Sequence, residues 1–214
     1  MEQNPKNSHP ALLTIICPMK NEEKNLAAFF ARLVPVLESV ADAYEILCIN
    51  DGSQDNTLAY LLKEKEINPN ITIADLSRNF GKEAALTCGI ELAKGDVVIP
   101  IDADLQHPPE TIIEMINCWQ KGYEVVLARR QNRKSEGWIR RRTAGWFYKL
   151  QNKISEVHIP ADVGDFRLMD RKVIEALKKL PERRRFMKGL FAWVGFRQTT
   201  ITFICEPRFA GASN

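Results

Sequence analysis

The chain has 214 residues, 45% of them apolar and 27% charged, ordinary proportions for a globular protein with room for one large core. No run approaches the roughly 18 apolar residues of a membrane-spanning helix, and the polar opening MEQNPKNSHP lacks the apolar centre of a signal peptide. The net charge of +3 hides an asymmetry: residues 1–128 hold 10 Lys and Arg against 19 Asp and Glu, whereas residues 129–214 hold 20 against 8.

Residues 1–11 read as a loose N-terminal tail. Short Ile- and Val-rich runs follow at LLTIIC (12–17), YEILCIN (44–50), ITIADL (71–76), DVVIPI (96–101) and EVVLA (124–128). They do not alternate with polar residues, which is how strands covered on both faces read. Helical patterns lie between them at 22–40, 55–66, 82–94 and 109–121. Asp55 and Pro108–Pro109 supply start signals, and Gly95 and Gly122 fall at the expected C-termini. This strand–helix alternation predicts an α/β domain with a mostly parallel central sheet and helices on both faces. The back half is less regular. An amphipathic helix is expected over 137–154, with Ile139, Thr143, Trp146, Leu150 and Ile154 at helical spacing. DVGDFRLMDRKVIEAL and LPERRRFMKGLFAWVGF follow without an assigned element, and TTITFIC reads as a final strand.

Cys17, Cys48, Cys88, Cys118 and Cys205 are odd in number, widely spaced and form no C-x-x-C pair. They argue against a disulfide framework or zinc knuckle and for buried free thiols in a reducing cytosol.

In open parallel sheets, ligands bind beyond the carboxyl ends of the strands. The segments at those ends are CPMKNEEKN, NDGSQDNT, DLSRNFGKE and DADLQHPPE. Four polar ends on one edge are expected to build one site. The Asp102-x-Asp104 pair suits Mg2+ or Mn2+, hard cations that take one or two carboxylates and complete their shell with phosphate oxygens. Its alternative is a solvated acidic turn. Asp51 is either a turn residue or an acceptor for a base or sugar. Glu22 either opens a helix or serves the site, and Lys82, behind Gly81 at a helix start, either meets phosphate or is an exposed lysine. His107 reads as a turn residue with no chemical role. The basic back half suits an anionic partner: nucleic acid, phosphate or a membrane surface.

Taken together, these segments resemble in order and spacing the family 2 glycosyltransferases of the GT-A fold. The four strand-end segments carry the superfamily likeness. VGDFRLMDRKV and LPERRRFMKGLFAWVGF are similar to the lipid-phosphate branch: the bactoprenol (undecaprenyl-phosphate) glucosyltransferases and, more distantly, dolichyl-phosphate mannose synthase. The likeness runs from Leu12 to Ser213 and implies a single GT-A domain over 12–214. It implies that Pro18, Lys20, Glu22 and Asp51 bind the donor nucleoside, and that Arg78 and Lys82 line the same pocket. Asp102 and Asp104 match the pair that holds Mg2+ or Mn2+, with Gln106 a further ligand and Asp102 shared with the ribose. Arg129 matches an arginine that meets the acceptor phosphate, and Asp165 an essential acid near the reacting sugar. Arg208, in RFAGAS, matches an arginine that closes over the donor phosphates. That last motif usually ends Ser-Lys, and here it ends Ser213-Asn214. Bactoprenol-branch proteins continue into a membrane-associated helix and two transmembrane helices, so this chain is expected to be a catalytic domain that stops short of them.

The implied activity is inverting, metal-dependent transfer of a sugar, glucose from UDP-glucose by branch, to a polyprenyl phosphate such as undecaprenyl phosphate. It would occur at the cytoplasmic face of the bacterial inner membrane, in cell-envelope or O-antigen glycan modification, and the branch suggests homo-oligomers. A phosphate acceptor also suits the residues directly. A phosphate monoester has a second pKa of about 6 and is mostly dianionic at neutral pH, so it needs positioning and charge neutralisation more than a base. Most cations of the basic half read as a solvated face, and a subset of them suits that acceptor and an anionic membrane surface. Asp165 is then expected to orient the sugar and the acceptor arginines, with a base as the alternative. Two other functions remain open: transfer to a polysaccharide hydroxyl, although ERRRF lacks the Gln and Trp of the Gln-x-x-Arg-Trp motif, and a non-catalytic membrane-surface module. No nucleic-acid partner is expected, because it would leave the acidic strand ends without a role. No G-x-G-x-x-G follows the first strand, against a dinucleotide-dependent dehydrogenase.

Overall fold

The computed structural model describes residues 9–131, 163–180 and 195–207. The expected helix over 137–154 and the PERRRFMKGLFAWV segment (181–194) lie outside the described residues. Seven strands form one sheet: β1 (Leu13–Met19), β2 (Tyr44–Asn50), β3 (Ile71–Asp75), β4 (Val97–Pro100), β5 (Val125–Arg130), β6 (Val163–Asp170) and β7 (Gln198–Phe203). Their order is β3-β2-β1-β4-β6-β5-β7. Every pairing is parallel except the two made by β6, which runs antiparallel to both β4 and β5. The sheet is therefore mostly parallel, as expected, with one reversed strand that the sequence pattern did not mark.

The side-chain alternation explains the unbroken apolar runs. From β1, Leu13, Ile15 and Cys17 face a core built with α1 (Glu23–Val40), α2 (Thr57–Ile67) and α4 (Thr111–Gln120). Ile16 points the other way, into a second core with α3 (Lys82–Leu92) and α5 (Arg171–Lys178). In β2, Ile46 and Cys48 take the first side, Leu47 and Ile49 the second. Both faces are dry, so both must be apolar. Each fully buried Leu, Ile or Phe, such as Phe29 and Leu33 of α1, contributes about 1.5–3 kcal/mol relative to exposure. α3 sits close on β1 because Gly89 has no side chain: a Cβ there would come 2.3 Å from Cγ2 of Ile16.

The five cysteines are free thiols, with Cys17 and Cys48 buried opposite one another on β1 and β2. Burial pushes both thiols up. α5 starts where Asp170 accepts from the backbone N–H of Lys172 at 3.0 Å. The other oxygen of that carboxylate accepts from Nε1 of the buried Trp119 at 2.7 Å, tying α4 to the end of β6. At the other end of α4, Arg32 of α1 donates to Glu110 through Nε and Nη2 at 3.2 and 2.8 Å, and to Glu206 through Nη1 and Nη2 at 2.8 and 3.1 Å. This fork joins α1, the start of α4 and the segment after β7.

Candidate active site

The carboxyl ends of β1 to β4 meet around a cavity of about 460 Å³. Pro18, Met19, Lys20 and Glu22 come from the β1 end, Asp51 from β2, Asn79, Gly81 and Lys82 from the β3–α3 turn, and Asp102 and Asp104 from the β4 end. Seven of the residues read from the sequence thus share one wall: Pro18, Lys20, Glu22, Asp51, Lys82, Asp102 and Asp104.

The loops that carry them are stitched to one another. The N–H of Asn21 donates to Oγ of Ser53 at 3.0 Å, and the N–H of Gln54 returns a bond to Oδ1 of Asn21 at 2.8 Å. Asn21 itself is left-handed, at φ 56°, a conformation asparagine tolerates better than most residues. Asp55 accepts from the N–H of Thr57 at 3.0 Å, acting near the start of α2, and its second oxygen accepts from the N–H of Glu23 at 3.2 Å. The buried Asp51 accepts from the N–H groups of Phe80 and Gly81 at 2.7 and 2.9 Å. It therefore shapes the turn that presents Lys82, besides facing the cavity. Gly52 has φ 62°, and a Cβ on it would lie 2.4 Å from the backbone nitrogen of Asn79. Only glycine lets this turn close over the β2 end.

Lys82 is the electrostatic centre. Its ammonium stands 2.8 Å from both carboxylate oxygens of Asp102 and 3.0 Å from Oδ2 of Asp165. Burial alone would lower its pKa, but the charges and hydrogen bonds of Asp102 and Asp165 outweigh burial and hold it above its ordinary value. Asp165 reaches this point because β6 is reversed: its third residue lies at the edge where the parallel strands end. Its Oδ1 is buried without a hydrogen-bond partner among the described residues. Nearby, burial pushes the Arg167 guanidinium down to about 10 against the raising pull of Asp165, and Nη2 donates to the carbonyl of Gly164 at 2.6 Å.

The remaining sequence candidates lie apart. Arg78 is outside the cavity lining: its guanidinium stacks 4.1 Å over the Phe80 ring and donates to the Asn79 carbonyl at 3.4 Å. Gln106 also stands outside the lining. Its N–H donates to Oδ1 of Asp104 at 3.0 Å and its carbonyl accepts from Glu206 at 3.2 Å. Arg129 is exposed near the end of β5, opposite Val163 of β6 across a register shift. Arg208 lies outside the described residues. Asn79, Gly52 and His107 were not singled out for chemistry in the sequence. Of these, only the Asp-Gly pair at 51–52 carried a local signal, that of a turn.

The residues fit a hard divalent cation. Asp102 already presents both oxygens to a positive charge, the Lys82 ammonium, and Asp104 lines the same wall. Among the described residues, no three His, Cys, Asp or Glu side chains form a metal cluster, so a cation here would draw further ligands from donor phosphates.

Comparison with known proteins places the chain in a family. The model of glycosyl transferase family 2 matches residues 14–178, and the chain belongs to that family. It is 56% identical over 199 residues to the uncharacterized glycosyltransferase sll0501 of Synechocystis sp., covering 93% of this chain and 63% of that protein. It is 44% identical over 201 residues to the bactoprenol glucosyl transferase of Shigella phage SfV, covering 94% of this chain and 66% of that protein. The chain thus spans less than two thirds of the length of these relatives. Among solved structures, it resembles a mannosyltransferase of Pyrobaculum calidifontis in complex with GDP-Man and Mn2+, with TM-score 0.62 and 16% identity over 94% of this chain and 57% of that one. It also resembles glucosyl-3-phosphoglycerate synthase of Mycobacterium tuberculosis in complex with Mn2+, UDP and glucosyl-3-phosphoglycerate, with TM-score 0.62 and 16% identity over 95% of this chain and 73% of that one. At such identity these two bear on the fold alone, which is the GT-A fold. No described helix is long and apolar enough to cross a membrane.

Proposed function

We propose that this chain is the catalytic domain, over 12–214, of a glycosyltransferase that moves glucose from UDP-glucose to the phosphate of a membrane polyprenol, with inversion at the anomeric carbon. The observation that carries the reading is the Asp102–Lys82–Asp165 bridge on the wall of a cavity made by four strand ends. Through Lys82 it ties a carboxylate suited to a cation on the donor diphosphate to an acid suited to the sugar. The likeness to a bactoprenol glucosyl transferase supports the acceptor and the sugar. The full-length protein is proposed to act at the cytoplasmic face of the inner membrane, in cell-envelope glycan modification, through further segments that anchor it there.

Lys20, Glu22 and Asp51 hold the nucleoside, and Lys82 offsets diphosphate charge. Asp102 and Asp104, with Gln106 turned inward, would hold Mg2+ or Mn2+, which when bound supplies Lewis-acid neutralisation of the leaving diphosphate. Arg129 and neighbouring cations fix the acceptor phosphate. One of its oxygens attacks the anomeric carbon from the face opposite UDP. The new C–O bond forms as the bond to the β-phosphate oxygen breaks, and UDP leaves with the electron pair. Asp165 orients the sugar and the acceptor arginines; the dianionic nucleophile has no proton to surrender, so no base is required. Arg208 closes over the donor phosphates.

The test is transfer of radiolabelled glucose from UDP-glucose to undecaprenyl phosphate in detergent, with Mn2+ present. Label in the lipid phase supports the reading. Label transferred only to a polysaccharide would replace the acceptor, and UDP-glucose binding without turnover on any acceptor would make the chain a binding module.

A further inference from the structure

His107 has no part in the chemistry above, yet it borders the site. It lies in the turn between β4 and α4, with its ring centroid 5.1 Å from that of Phe166 and 5.3 Å from that of Phe203. Those two rings meet edge to face at 5.8 Å and close the pocket around it. Nδ1 is buried without a hydrogen-bond partner among the described residues and stands 4.0 Å from Oδ2 of Asp102. That separation is too long for a hydrogen bond. The same Oδ2 accepts instead from Lys82 at 2.8 Å.

The chemistry of the two groups decides what the gap means. Neutral or charged, an imidazole has at least one N–H to donate. A neutral imidazole carries one proton and a carboxylate can only accept. The tautomer with its proton on Nδ1 avoids setting a lone pair against Asp102. A buried N–H without an acceptor is costly, and Asp102, with a half-buried side chain, is the carboxylate within reach. Its present occupant, Lys82, sits at a helix start that suits phosphate.

We propose that His107 is a positioning residue for Asp102. When the donor diphosphate draws the Lys82 ammonium away, the Asp102 carboxylate closes on the Nδ1–H of His107, and this bond aims it at the cation. Outer hydrogen bonds of this kind orient metal-binding side chains, and their loss typically weakens metal affinity about 10–100-fold. The inference rests on the metal-dependent donor binding proposed above.

The experiment measures Mn2+ binding to the chain at saturating UDP, from the electron paramagnetic resonance signal of free Mn2+, together with UDP affinity in the absence of metal and the melting temperature. The variants are His107→Phe, which keeps an aromatic ring and removes the donor, and His107→Asn, whose side-chain nitrogen stands where Nδ1 does but which loses the ring. His107→Phe is expected to weaken Mn2+ binding at least ~10-fold, with metal-free UDP affinity changed less than about twofold. His107→Asn is expected to restore Mn2+ affinity to within about threefold of wild type while melting lower. Crossed results of this kind separate positioning from packing. Mn2+ affinity that follows the melting temperature, or that is unchanged in His107→Phe, overturns the proposal. Wild-type chain that binds UDP with no Mn2+ dependence overturns the metal-dependent reading itself, and this inference with it.

Discussion

Lys82 of α3 and Asp165 of β6 meet at 3.0 Å across the cavity edge, and Asp102 meets the same ammonium at 2.8 Å. One ammonium therefore holds two carboxylates, one from the β4 end and one from β6. Lys82→Met is expected to lower kcat/KM about 100-fold, since a hydrogen bond to a charged group is worth roughly 1.5–3 kcal/mol and its loss leaves two acids facing each other. Steady-state kinetics with UDP-glucose and a polyprenyl phosphate check this, and a variant within threefold of wild type would remove Lys82 from the site.

The acceptor phosphate, not a protein base, is expected to set the acidic limb of the pH–rate profile. Its second ionisation lies at about pH 6, so kcat/KM should fall below that pH and stay level above it. Asp165→Asn should lower the whole curve by about 100-fold or more without moving the limb. A limb that vanished in Asp165→Asn would make Asp165 the base instead.

Gly52→Ala is expected to be disruptive out of proportion to one methyl group. Its φ is 62°, and the added carbon would fall 2.4 Å from the Asn79 nitrogen. Left-handed strain alone costs about 1–3 kcal/mol, or roughly 3–10 °C of melting temperature for a domain of this size. Because the displaced turn presents Lys82, UDP affinity should fall as well; calorimetry and UDP titration read the two effects.

The Arg32 fork predicts a specific acid sensitivity. Burial pulls the Glu110 carboxyl up, but hydrogen bonds from Arg32 and the backbone win and hold it below its usual range. A carboxylate depressed in the folded state stabilises fully above its unfolded pKa of about 4.3. That contribution is lost as pH falls through the lower folded value. Glu110→Gln should thus be less stable than wild type at pH 7 and show a shallower loss of stability below about pH 4. Half of the Glu110 side chain is exposed, so the effect is small and screened by salt. Thermal melts from pH 7 to 3 at low ionic strength test it.

The front half of the fold was legible because its strands are dry on both faces and its polar residues gather at strand ends. β1 to β5 fall within two or three residues of the expected runs, and the four polar ends do line one cavity. β6 was not legible. VGDFRLMD places Gly164, Asp165 and Arg167 in a central strand, so no apolar run announces it. The buried charge that hides the strand belongs to the site it helps build, a local rule broken where function sits. His107 was passed over for the opposite reason. Among prolines after two acids it reads as a turn residue, and only the fold sets Phe166 and Phe203 beside it.

The reversed strand also imposes a schedule. β4 and β5 each pair with β6 and not with one another, so the sheet stays divided until residues 163–170 have left the ribosome. At about 5–20 residues per second, the chain spends a few seconds with the β4 edge unpaired, a state prone to wrong pairing. Asp165 arrives on the strand that closes the gap. A chain interrupted before that point would already hold every residue that lines the cavity, yet its Lys82 would lack Asp165, the second carboxylate it grips.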